Sequence, residues 1–190
     1  MGLFMNIGYI KANWSKFQNI DTITGSSGGA IIGLFLALGW HPERVMDALL
    51  SIDPEVCAKT NVINLIRRFG FIKTEHTRNA IETLCECNPT FNDLEKTLYV
   101  SAFSLTTGKT VYFSKHTHPD MLVLDAIMAS IAIPILIEPV RYKGELFIDG
   151  GFAELWPSQS IIGCNPEECF VIRTVFYDDV RYECKNLIDI

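Results

Sequence analysis

Five residues, Gly25-Ser26-Ser27-Gly28-Gly29, constrain this chain more than any other stretch. They stand where a β-branched run, residues 20–24, gives way to an apolar run, residues 30–38. The first has the composition of a short strand, and the second is long enough for a buried helix. A strand that turns at once into a helix is the unit from which layered α/β folds are built. Read as G-x-S-x-G, the pentapeptide centres on Ser27. Strand, sharp turn, helix is the context of a nucleophile elbow, which lifts one serine hydroxyl clear of the backbone. Gly25, Gly28 and Gly29 carry no side chain to block a substrate or clash across the turn. The helix that follows points its N-terminal N–H groups and the positive end of its dipole at the reacting centre. The same residues also suit a plain Gly/Ser turn with Ser26 or Ser27 as helix N-cap. Ser26 is the weaker nucleophile candidate, because Thr24 stands where the first glycine would be needed.

Helical and strand periodicities alternate along the rest of the chain. Residues 7–17 read as an amphipathic helix with Ile7, Ile10, Trp14 and Phe17 on one face. His41-Pro42-Glu43 opens another, with Pro42 in its first turn, and Asp53-Pro54 ends it. Residues 61–69 and 74–85 are further helices, with Thr74 as an N-cap. Residues 98–105 and 110–113 are strand-like and joined by Thr107-Gly108-Lys109, a hairpin signal. Residues 122–130 return to helix, Pro134 and Pro139 bracket an extended piece, and residues 141–148 read as a second hairpin about Lys143-Gly144. Residues 170–175 complete the pattern as a buried strand.

A chain of 190 residues with 48% hydrophobic content can bury one core, so residues 1–190 read as one domain with a polar tail over 177–190. No stretch reaches the roughly 18 uncharged apolar residues of a membrane span, and no basic segment with a cleavage site marks a signal peptide. With net charge −6 and no concentration of Lys and Arg, nucleic-acid binding has no support. The six cysteines lack zinc-like pairing and read as reduced thiols of a cytoplasmic protein. His116-x-His118 could ligate a metal, but no other ligand cluster accompanies it, and a solvated loop is the better reading.

A serine nucleophile needs a base. After strand-like residues 145–148 comes Asp149-Gly150-Gly151. A carboxylate at a strand's end, followed by two glycines, suits a catalytic group whose backbone must turn away at once. Asp-Gly is equally a common turn. Together, the Gly25–Gly29 and Asp149–Gly151 segments resemble the patatin-like phospholipases. Three more segments extend the resemblance: Gly8-Tyr9-Ile10-Lys11, Ala129-Ser130-Ile131-Ala132-Ile133-Pro134, and the approach Tyr142-Lys143-Gly144 to the aspartate, with Pro157 after it. The match covers roughly residues 7–175.

The resemblance implies an α/β layered fold with a central, mostly parallel sheet flanked by helices. It implies a Ser27–Asp149 dyad acting on ester lipids or phospholipids at a membrane surface, through an acyl-enzyme and without metal or cofactor. Exposed Phe, Trp40 or Trp156 would touch the lipid interface. Two departures stand out. The family's first strand and glycine-rich loop, G-G-G-x-[RK]-G, which supply much of its oxyanion hole, have no counterpart before Gly8. Glu154 and Leu155 stand where the family often has asparagine, and Glu154 adds a negative charge near the site. Two other readings compete: a catalytically impaired lipid-binding module, and a Ser-His-Asp hydrolase using one of the four histidines.

Overall fold

The computed structural model describes residues 2–53, 62–154, 157 and 166–173. The N-terminal amphipathic run forms α1 (Gly2–Ala12) and the single turn α2 (Trp14–Phe17). The break falls at Asn13, whose side-chain amide donates to the Tyr9 carbonyl. Ile7, Ile10 and Phe17 are buried as their spacing requires. Next come β1 (Thr22–Ser26), α3 (Gly28–Ala37) and α4 (Pro42–Leu50). His41 caps α4 and Pro42 occupies its first turn, where a missing N–H costs nothing.

The middle of the chain supplies α5 (Val62–Arg68), β2 (Gly70–Ile72) and α6 (Thr74–Cys85). Thr74 is the first helical residue rather than the cap, and Lys73 holds the N-cap position. The Thr74 hydroxyl is turned instead to the Glu138 carboxylate, 3.5 Å away. The hairpin β3 (Thr97–Ser104) and β4 (Lys109–Phe113) leads to α7 (Val123–Ser130). Three short strands close the fold: β5 (Ile135–Ile137), β6 (Val140–Tyr142) and β7 (Glu145–Asp149).

These elements make the expected layered α/β arrangement, with a sheet flanked by helices. The sheet is mixed, however, not mostly parallel. Only β1 lies parallel to β3, while β4 and β7 run antiparallel to β3, and β6 antiparallel to β7. Two of these pairings are local, since each hairpin turn returns the chain beside itself and forces antiparallel pairing, while β7 meets β3 across more than 40 residues of chain. A separate parallel pair joins β2 to β5. Among the described residues β1 pairs with β3 alone.

The register of β3 assembles the site. Ser101 pairs with Tyr112 on β4 and with Ser26 on β1. Ala102 pairs with Val111 on β4 and with Asp149 on β7. A strand has two edges, so β4 fills one and β1 and β7 must share the other. The two strands run towards each other along that edge, and their C-terminal ends meet at Ser101 and Ala102.

Helices α3 and α7 pack on this junction and carry much of the core. Ala30, Leu34, Phe35 and Ala37 on α3 are fully buried, as are Val123, Leu124, Ala126 and Ile127 on α7. Arg78 of α6 forms an ion pair with Asp125 of α7. Cys85 is buried, and that burial, helped by Cys87 and Glu82, pushes its thiol up to about 12, so it stays protonated at neutral pH. The expected strand over 170–175 is not formed at residues 170–173: Phe170 and Val171 are exposed. Phe170 meets Phe17 edge-on at 5.2 Å, so this stretch lies against the N-terminal helices. Residues 174–175, the tail over 177–190, Trp156 and Cys57, Cys164 and Cys184 lie outside the described residues.

Candidate active site

Ser27 stands between β1 and α3 with φ 52° and ψ −125°. A non-glycine residue at positive φ is uncommon, and such strain concentrates at functional turns. The turn depends on Gly25, where an added Cβ would lie 2.6 Å from the Ala30 amide nitrogen and Cα. Gly29 faces open space, and a Cβ on Gly28 would meet only the Leu3 side chain at 3.5 Å. Ser27 holds the N-cap position of α3, yet its side chain makes no capping hydrogen bond. The Ser27 side chain instead acts on the Asp149 carboxyl, holding its pKa down against the effect of burial. The plain N-cap reading therefore does not describe this serine. Ser26 Oγ is buried and, among the described residues, has no hydrogen-bond partner.

Asp149 ends β7 and is 7% exposed. The Gly151 amide donates to its Oδ1 at 2.7 Å, and its own amide donates to the Ala132 carbonyl at 3.0 Å. Gly150 must be glycine, because a Cβ there would fall 2.5 Å from the Ser101 carbonyl oxygen. Burial pushes the Asp149 carboxyl above its ordinary range, and the bonds from Ser27 and Gly151 only partly offset this. The structure thus brings together Ser27, Asp149 and the five glycines named from the sequence.

Sequence reasoning assigned no role to Ser130, which the structure places at the site. Its fully buried hydroxyl accepts the Ser27 amide at 2.8 Å. The signal was present in Ala129-Ser130-Ile131-Ala132-Ile133-Pro134, noted as a family-like segment but not as a brace for the elbow. Glu154 stays close to the turn, its amide donating to the Gly150 carbonyl at 3.2 Å. Its carboxylate takes the Tyr112 hydroxyl.

The histidines lie elsewhere. His41 caps α4, His76 is on α6, and His116 and His118 follow β4. His116 stacks on Tyr99 and His118 packs against Phe113 and Tyr142. Trp40 packs on Phe35 under the Arg44 guanidinium, which places it with the core. An apolar cavity of about 170 Å³ beside α3 takes in Gly29, Ile32, Gly33 and Leu36 but neither Ser27 nor Asp149. No helix among the described residues is long and apolar enough to cross a membrane.

A layered α/β domain with a strained serine at a strand-to-helix turn, facing a buried aspartate at the end of a second strand, defines a recognisable class. A family model described as patatin-like phospholipase matches residues 2–157, and the chain belongs to that family. The probable lipid hydrolase 463L of Invertebrate iridescent virus 6 is 31% identical over 75% of this chain and 53% of its own length. The uncharacterized protein R571 of Acanthamoeba polyphaga mimivirus is 30% identical over 78% of this chain and 54% of its own. A cGAMP-activated phospholipase of Escherichia coli (strain TW11681) is 28% identical over 73% of this chain and 42% of its own. The chain therefore spans about half the length of the curated relatives it matches. Among solved structures, VipD from Legionella pneumophila is similar in fold, with TM-score 0.56 and 16% identity, over 80% of this chain and 44% of its own.

Proposed function

We propose that this chain is a lipid ester hydrolase of the phospholipase A type, with Ser27 as nucleophile and Asp149 as its base. The observation that carries the reading is a strained Ser27 beside the buried Asp149, set there because β1 and β7 end against neighbouring residues of β3. The family and the lipid hydrolase among the relatives support the substrate class.

Asp149 accepts the Ser27 proton as Oγ bonds to the ester carbonyl carbon. Negative charge gathers on the carbonyl oxygen. The Gly28 and Gly29 N–H groups precede the first bond of α3, from the Ala30 amide to the Ser27 carbonyl at 2.9 Å, and are available to it. When the C–O bond breaks, Asp149 returns the proton to the departing alcohol, leaving an acyl group on Ser27. Water then yields a proton to Asp149, attacks the acyl carbon, and releases the fatty acid as the proton goes back to Ser27. A free carboxylate, with pKa about 3.9, is a weak base at neutral pH. Burial raises Asp149 and so improves it.

Labelling with a serine-reactive fluorophosphonate tests the reading, with hydrolysis of phosphatidylcholine vesicles measured beside it. Labelling that disappears in Ser27→Ala, in a chain that still melts cooperatively, is the expected result. Unchanged labelling in that variant would assign the nucleophile to another serine and overturn the reading, and no labelling in the folded parent would favour a lipid-binding module without turnover.

A further inference from the structure

Two positive-φ residues away from the dyad, Phe69 at 62° and Ile135 at 72°, hold large apolar side chains in solvent, 72% and 65% exposed. A β-branched residue at such a φ is a genuine outlier, and here it points its side chain outward, away from the core. The two are neighbours, since Ile135 pairs with Gly70, the residue after Phe69. Ile66, 77% exposed, lies on the last turn of α5, three residues before Phe69. Leu136, also exposed, follows Ile135. Apolar side chains gathered like this mark an interaction surface, whereas singly scattered ones do not.

Charge says what the surface meets. Residues 66–73 hold Arg67, Arg68 and Lys73 and no acidic residue, in a chain of net charge −6. Arg68 spends part of its charge on Glu138 at 3.2 Å, while Arg67 is exposed beside Ile66. Exposed apolar side chains with an exposed Arg67 among them and a half-buried Lys73 nearby fit the boundary of a bilayer carrying anionic headgroups. The patch is also tied to the site. Ala132 accepts the Asp149 amide, and Ile135 follows three residues later, which an extended chain spans in about 11 Å at most. Ile133, exposed, lies between Ala132 and Ile135 on that segment.

We propose that Ile66, Phe69, Ile135 and Leu136, with Arg67 and Lys73, dock the chain onto an anionic phospholipid surface. Docking there would hold the membrane beside the Ser27–Asp149 pair. The choice of a lipid surface rests in part on the hydrolase reading above.

Vesicle flotation of the full chain carrying Ser27→Ala tests this without consuming the lipid. One set of vesicles is phosphatidylcholine and phosphatidylglycerol in equal parts, the other phosphatidylcholine alone. The chain is expected to float with the anionic vesicles and far less with the neutral ones. Phe69→Asn with Ile135→Asn should weaken that binding at least about tenfold, since asparagine suits positive φ and only the apolar contact is lost. Arg67→Glu, an exposed single change, should weaken binding to the anionic vesicles alone. No flotation, or flotation unchanged in both variants, overturns the proposal, as does a concentration-dependent dimer that the asparagine pair abolishes. The two readings fail separately. Flotation by a chain whose Ser27 parent never labels would sink the hydrolase and keep the docking face. Labelling and soluble-ester turnover without flotation would do the reverse.

Discussion

Ser27 and Asp149 each sit where an isolated residue would not. Ser27 holds a backbone conformation costing of order 1–3 kcal/mol, kept because the turn around it leaves no alternative. Asp149 holds a carboxylate with little access to water. In the unfolded chain that carboxyl titrates near 3.9, and in the folded chain it titrates higher. Between the two values the folded chain keeps a proton that the unfolded chain has lost, so stability falls as pH rises through that window. The deficit persists at neutral pH. Asp149→Asn should therefore raise the thermal midpoint at pH 7, give no gain below about pH 3.9, and still accept the Gly151 amide. The same change should lower ester turnover by on the order of 10²–10⁴. In the parent, turnover should fall on the acid side as Asp149 gains its proton, with an apparent pKa above that of a free aspartate. Melting curves and a pH–rate profile check the two halves.

At the scale of elements, the βα turn depends on one of its glycines far more than another. Gly25→Ala drives a Cβ into the backbone of Ala30 and should destabilise by about 1–3 kcal/mol or more. Gly29→Ala meets nothing within 4 Å and removes a helical glycine, so it should stabilise by roughly 0.5–1 kcal/mol. Urea melts of the two variants would show opposite signs. The elements themselves were legible, because period and turn chemistry are local. The apolar spacing of Ile7, Ile10 and Phe17, Pro42 at a first turn and Gly108 and Gly144 in hairpins all did what their chemistry dictates. Thr74 missed its cap because a distant carboxylate, Glu138, took its hydroxyl. The direction of the sheet was misjudged because pairing is settled between segments far apart. Nothing local says that β7 shares an edge of β3 with β1. The strand expected over 170–175 failed in its first four residues for a similar reason, as Phe170 found Phe17 first.

Across the whole molecule, the serine and the aspartate were legible as motifs, while the brace between two distant segments was not. The Ser27 amide reaches Ser130 across 103 residues of chain. Ser130→Ala strips a buried donor of its acceptor and should cost about 1–3 kcal/mol. Fluorophosphonate labelling should slow in step, since the elbow loses one hold on its geometry. The meeting of β1 and β7 along one edge of β3 has a bearing on when the protein can act. Neither strand alone carries a working pair, and neither can be seated until β3 is in place between the segments that supply them. A chain still emerging, or one partly unfolded, would hold an inert serine and an inert carboxylate in separate pieces. The sheet therefore works as an interlock: the proposed Ser27–Asp149 centre comes into being only once nearly the whole domain has closed around it.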